Sequence, residues 1–145
     1  MAMTVTPLSD ALGAEIEGVD LSRPLDEATQ KALRDAWSAH LVLLFRNQDF
    51  SPEDQLRFAR CLGPVASRKL PDDYHIPASS RETAGIAYVS NIRLEDGSPY
   101  GTLPDGEMWF HHDTCYKPIP DRATMLYSME VPEWGGHTRW SNMYK

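Results

Sequence analysis

A chain of 145 residues is long enough to bury one apolar core, and 41% hydrophobic with 24% charged residues is ordinary for a soluble globular domain. Its net charge of −7, with the basic side chains scattered, argues against a surface that tracks the phosphates of a nucleic acid. No apolar run approaches the ~18 residues that cross a bilayer, and two cysteines, Cys61 and Cys115, are too few for a disulfide scaffold.

Thr4 to Asp20 reads as short strands around a turn, with Gly13 and Gly18 as turn or bulge residues. A helix is expected next, capped by Asp26, with Ala32, Leu33, Ala36 and Trp37 at helical spacing up to His40. Leu41 to Phe45 is a continuous apolar run that suits a fully buried strand. A second helix follows: Ser51 offers a cap hydroxyl, Pro52 starts the helix, and Glu53 and Asp54 place acids in its first turn. Leu56, Ala59 and Leu62 would form its apolar stripe, and Gly63 its stop.

From Gly63 to Glu82 the chain is polar and broken by prolines, a length of loop that is usually functional or mobile. Thr83 to Ile92 resumes as a strand, and Arg93 to Gly106 is a second long connection. Three strand-like pieces follow: Glu107 to Cys115, Arg122 to Val131 and Thr138 to Asn142. This order suggests a mixed, mainly β fold, a sandwich or jelly roll with helices outside. The late strands are too few to close two sheets, so the C-terminus reads as a truncation that leaves a face with Met125 and Leu126 uncovered. With no basic or apolar leader at the N-terminus, a cytoplasmic location is expected, without membrane or nucleic-acid partners.

Two constellations could carry chemistry. In Phe110-His111-His112-Asp113, strand alternation would set His111 and Asp113 on one side and His112 on the other. One imidazole nitrogen and one carboxylate oxygen can hold adjacent positions of an octahedral metal, and a further histidine would complete the facial triad of Fe(II) oxygenases. With five histidines and 21 acids in the chain, the H-x-D pair alone is a weak signal. The second constellation, Gly135-Gly136-His137-Thr138, is either an ordinary hairpin or a turn that delivers a hydroxyl to the carboxylate of an organic acid.

In series the motifs say more. They run Leu12-Gly13-Ala14-Glu15-Ile16-x-Gly18-Val19-Asp20-Leu21, Leu44-Phe45-Arg46-x-Gln48, Phe58-Ala59-x-x-Leu62-Gly63, Ser90-Asn91, Gly106-Glu107-x-x-Phe110-His111-x-Asp113 and Val131-Pro132-x-x-Gly135-Gly136-x-Thr138. In this order the chain resembles the taurine and 2,4-dichlorophenoxyacetate dioxygenase family over essentially all its residues. That resemblance implies a double-stranded β-helix with flanking helices, of which residues 1–145 would be the N-terminal part. It implies Fe(II) as metal and 2-oxoglutarate as co-substrate, consumed with O₂ to succinate and CO₂ while a small anionic organic compound is hydroxylated. His111 and Asp113 would be iron ligands, and Thr138 would bind the 2-oxoglutarate carboxylate.

The family's second histidine and its 2-oxoglutarate arginine lie downstream of the last residue here, and His137 stands where the family has an acid. An inward Thr138 would turn His137 outward, which disfavours it as a substitute third ligand. Candidate substrate contacts are Lys69, Tyr74 and Asn91, with Arg68 as a further cation, each equally readable as a solvated loop residue. Trp109 and Trp134 read as core or rim packing. The substrate could be a sulfonate, a sulfate ester, an aryloxyalkanoate or another carboxylate, and a homo-oligomer is open. The alternatives are a cupin-type metal protein, which would show several clustered histidines, and an inactive jelly-roll domain that only binds or packs.

Overall fold

The computed structural model describes residues 2–66, 85–98, 100–101 and 108–145. They divide into two compact units, one of Met1–Val19, Lys31–Arg46 and Met108–Lys145, the other of Asp20–Gln30 and Asn47–Glu107.

The first unit starts with a hairpin of β1 (Thr4–Pro7) and β2 (Ala14–Glu17), antiparallel with Val5 opposite Ile16. The Ser9 hydroxyl shapes its loop, accepting from Leu12 N at 3.1 Å and donating to Leu12 O at 2.6 Å. Gly13 and Gly18 take positive φ, as the turn reading requires. At Gly18 the need is also steric, because a Cβ would lie 2.5 Å from the Ala2 carbonyl oxygen.

Helix α1 (Glu27–His40) follows in the chain, its residues from Lys31 onward belonging to the first unit. Its start is capped as expected: the Asp26 carboxylate accepts from Thr29 N at 2.7 Å. At its end Leu41 adopts φ 67°, and its carbonyl accepts from the Trp37 indole N–H at 3.1 Å. That left-handed residue turns the chain, so the next strand begins later than the apolar run. β3 is only Leu43–Phe45, parallel to β2 with Glu15 opposite Leu44, and it is half-buried rather than fully buried. The sheet order is β1-β2-β3. Ala14, Ile16, Leu33 and Ala36 are the buried apolar side chains of this unit.

In the second unit, helix α2 (Pro52–Leu62) has both halves of a capping box: Ser51 Oγ accepts from Asp54 N, and the Asp54 carboxylate accepts from Ser51 N at 3.0 Å. Its most buried residue is Phe58, while Leu56, Ala59 and Leu62 are half-buried, so the apolar stripe is centred one position away from the expected one. Leu21, 2% exposed, is fixed by its backbone: its N–H donates to Gln48 Oε1 at 2.9 Å and its carbonyl accepts from Arg57 at 3.3 Å.

The later strands differ from expectation. Among the described residues, 85–92, 108–115, 122–131 and 138–142 form no strand. A strand persists only where a second backbone supplies its ladder. Cys115 N donates to His112 O at 3.2 Å and Lys117 N to Thr114 O at 2.9 Å, which turns the chain at the end of the stretch expected to be a strand up to Cys115. The mixed sheet and helices are present; a jelly roll is not seen among the described residues. Trp109 and Trp134 are each 88% exposed, so neither is core packing, and Leu126 is also exposed.

Candidate metal site

Both side chains of the H-x-D pair lie in the first unit, and they meet. His111 Nε2 is 3.1 Å from Asp113 Oδ1. They stand on backbone that forms no strand. Thr114, just after Asp113, has φ 56° and is buried, which a β-branched residue adopts only when its surroundings hold it there. Its hydroxyl accepts from Asp121 N at 2.7 Å, and its carbonyl from Lys117 N, so both of its acceptor oxygens are used by the loop.

The His111 ring has a defined proton. Nδ1 is 2.8 Å from the Trp109 carbonyl, which can only accept, so Nδ1 carries the hydrogen. In the neutral ring Nε2 then has a lone pair facing a carboxylate oxygen. Two electron-rich atoms at that distance attract a positive charge between them, either a proton or a metal cation. The imidazole's acidity reflects this: the Trp109 carbonyl first, and the Asp113 carboxylate after it, hold its pKa above the ordinary histidine value. A histidine whose far nitrogen donates to a backbone carbonyl is the usual arrangement of a metal ligand. The pair therefore fits a divalent cation on its donor chemistry.

Around the pair, Asp113 Oδ2 accepts a hydrogen bond from Thr124. The Arg122 guanidinium, two residues earlier, lies 5.4 Å from the centroid of the Trp37 ring on α1. Neither residue stood out in the sequence, since a lone Thr and a lone Arg in a strand-like stretch give no signal. Among the described residues no group of three or more His, Cys, Asp or Glu side chains gathers. His112 and His137 are exposed.

Gly135 and Gly136 have φ 82° and 61°, two consecutive left-handed residues, but no strands flank them as a hairpin would require. Thr138 after it is exposed, and no hydrogen bond among the described residues ties it to His111 or Asp113. Asn91 is exposed and belongs to the second unit. Arg68, Lys69 and Tyr74 lie outside the described residues.

The comparisons with known proteins agree with one another. The description "Taurine catabolism dioxygenase TauD, TfdA family" matches residues 4–145. The chain is 33% identical over 146 residues to pentalenolactone F synthase of Streptomyces avermitilis, covering 99% of this chain and 46% of that protein. It is 29% identical to the (S)-phenoxypropionate/alpha-ketoglutarate-dioxygenase of Sphingobium herbicidovorans, covering 98% and 46%. It is 31% identical to the alpha-ketoglutarate-dependent sulfate ester dioxygenase of Pseudomonas putida, covering 98% and 42%. The chain thus spans about half the length of the curated relatives it matches.

Proposed function

The chain belongs to the taurine catabolism dioxygenase TauD, TfdA family, and from that premise we propose that it is the N-terminal part of an Fe(II)- and 2-oxoglutarate-dependent dioxygenase. The observation that carries this is the convergence of His111 Nε2 and Asp113 Oδ1 at 3.1 Å, with the other imidazole nitrogen already committed to a carbonyl. The two groups supply one neutral nitrogen and one anionic oxygen, a donor set suited to Fe(II).

When bound, Fe(II) would supply the O₂ activation that couples oxidative decarboxylation of 2-oxoglutarate to hydroxylation of the substrate. His111 and Asp113 would hold the cation. Thr138 donates its hydroxyl hydrogen bond to a 2-oxoglutarate carboxylate. A second histidine and an arginine for 2-oxoglutarate come from chain beyond residue 145, in keeping with the greater length of the relatives. The substrate is a small anionic organic compound, and relatives whose names specify a phenoxypropionate and a sulfate ester support that class. Lys69, Tyr74 and Asn91 are the proposed substrate contacts, and the reaction takes place in the cytoplasm.

The test is succinate release from 2-oxoglutarate by the full-length protein, with and without added Fe(II), across a panel of sulfonates, sulfate esters and aryloxyalkanoates. Iron-dependent turnover stimulated by one of these classes is expected. Wild-type-like succinate release by His111→Ala would overturn the assignment. The second reading, a domain that binds without catalysis, is favoured by the pairing of only two donors among the described residues. It predicts metal binding with no turnover in the same assay.

A further inference from the structure

Asp113 does not project freely toward His111. One carboxylate oxygen, Oδ1, faces Nε2 at 3.1 Å, and the other, Oδ2, accepts from the hydroxyl of Thr124, eleven residues further along. Torsion about the Cβ–Cγ bond of an aspartate is broad, so a lone carboxylate on a half-exposed loop would rotate. A donor on one oxygen fixes the plane of the group, and with it the direction of the lone pairs on the other.

The donor is itself held. Three residues before it, the backbone N–H of Asp121 is tied to the Thr114 hydroxyl at 2.7 Å; two residues before it, Arg122 stacks 5.4 Å from the centre of Trp37 on α1. The segment 121–124 is therefore fastened once to the loop that carries Asp113, once to the helix, and once to the carboxylate itself. An aspartate handled in this way is built to present a single oxygen.

We propose that Thr124 is a positioning residue for the metal site: its hydroxyl retains Asp113 Oδ2, so that Oδ1 alone is offered to the cation beside His111. This rests on the reading of His111 and Asp113 as ligands. A hydroxyl partner behind a ligating carboxylate has two effects. It lowers the ordering that metal binding must impose, and it keeps the second oxygen from taking up a coordination position that the co-substrate and O₂ need.

The test uses metal-free full-length protein titrated anaerobically with Mn(II), free Mn(II) being read by its electron paramagnetic resonance signal, with thermal unfolding of the metal-free form measured in parallel. Thr124→Val keeps the shape and removes the donor; Thr124→Ala removes both; Thr124→Ser keeps the donor. The Val and Ala variants should bind Mn(II) about 10- to 100-fold more weakly with an unchanged metal-free Tm, and Ser should restore the wild-type affinity. Wild-type affinity in both Val and Ala variants, while Asp113→Ala loses Mn(II), would overturn the role of Thr124 and leave the ligand pair standing. Wild-type affinity in Asp113→Ala would overturn the ligand pair and, with it, Thr124.

Discussion

The Thr114 hydroxyl accepts the backbone N–H of Asp121 at 2.7 Å, closing the loop that begins at Asp113. Thr114 is 5% exposed, so the N–H it satisfies would find little water in its place. Thr114→Val removes the acceptor while keeping the side-chain volume. It should destabilise the protein by about 1–3 kcal/mol, the cost of leaving a shielded amide unpaired. Thr114→Ser, which keeps the oxygen and drops the β-branching that is awkward at φ 56°, should lose little. Urea unfolding midpoints of the two variants check this, and equal losses would refute it.

The metal prediction separates three neighbouring residues. His111→Ala and Asp113→Ala should each abolish tight Mn(II) or Fe(II) binding, measured by calorimetric titration of the metal-free protein. His112→Ala should bind as wild type, since its side chain is exposed and, among the described residues, it is the backbone carbonyl that is used, by Cys115 N. A His112→Ala variant as defective as His111→Ala would show that the loop, not the pair, is what matters.

How much of this was legible in the sequence follows from what each feature depends on. Helix α2 could be read almost to the residue because Ser51, Pro52 and Asp54 act on their own neighbours. The start of α1 at Asp26 was readable for the same reason. Leu41 gave no sign of a left-handed backbone, so β3 was expected two residues early. The strands expected around 108–142 depend on partner backbones that a local pattern does not name, and alternation alone does not supply them. The His111–Asp113 spacing predicts a shared strand face; the two groups do meet, but on backbone that forms no strand. Thr124 and Arg122 were invisible because their roles exist only through Asp113 and Trp37, residues far away in sequence.

Arg122 offers a test of the packing that holds the site. Its guanidinium over Trp37 is a cation–π contact at an exposed position, worth about 0.5–1 kcal/mol. Arg122→Ala should lower stability by that amount, and Arg122→Lys should recover only part of it, because an ammonium does not stack as a planar guanidinium does. Urea unfolding followed by circular dichroism measures both. No change in either variant would mean that the stacking contributes nothing in solution.

Acid stability should depend on the two helix caps. Asp26 is held below the usual aspartate value first by the Thr29 backbone N–H, and Asp54 first by the Ser51 backbone N–H and then by Arg57, whose guanidinium is 2.5 Å away. A lowered folded-state pKa stabilises the fold fully above the unfolded value, here 3.8, and that contribution is lost as pH falls through the folded value. Helicity followed by circular dichroism should therefore decline below pH 3.8 with a slope that Asp26→Asn and Asp54→Asn each reduce. A variant profile parallel to wild type down to the acid limit would remove the caps from the account.

The last prediction concerns Thr138, which follows the left-handed Gly135–Gly136 pair and is exposed. If its hydroxyl donates to a carboxylate of 2-oxoglutarate, the bond is charge-assisted, and losing it should cost about 1.5–3 kcal/mol, roughly ten- to a hundred-fold in affinity. Thr138→Val removes the donor and keeps the branched shape, so the turn and its backbone are left intact. Apparent affinity for 2-oxoglutarate should fall by that factor in the full-length protein, while Mn(II) binding in its absence stays at the wild-type level, because Thr138 is not bonded to either ligand. Thr138→Ser should recover most of the loss. An unchanged affinity in Thr138→Val would make the residue an ordinary position after a hairpin turn. A parallel loss of Mn(II) binding would instead mean that the substitution had disturbed the segment that carries His111 and Asp113.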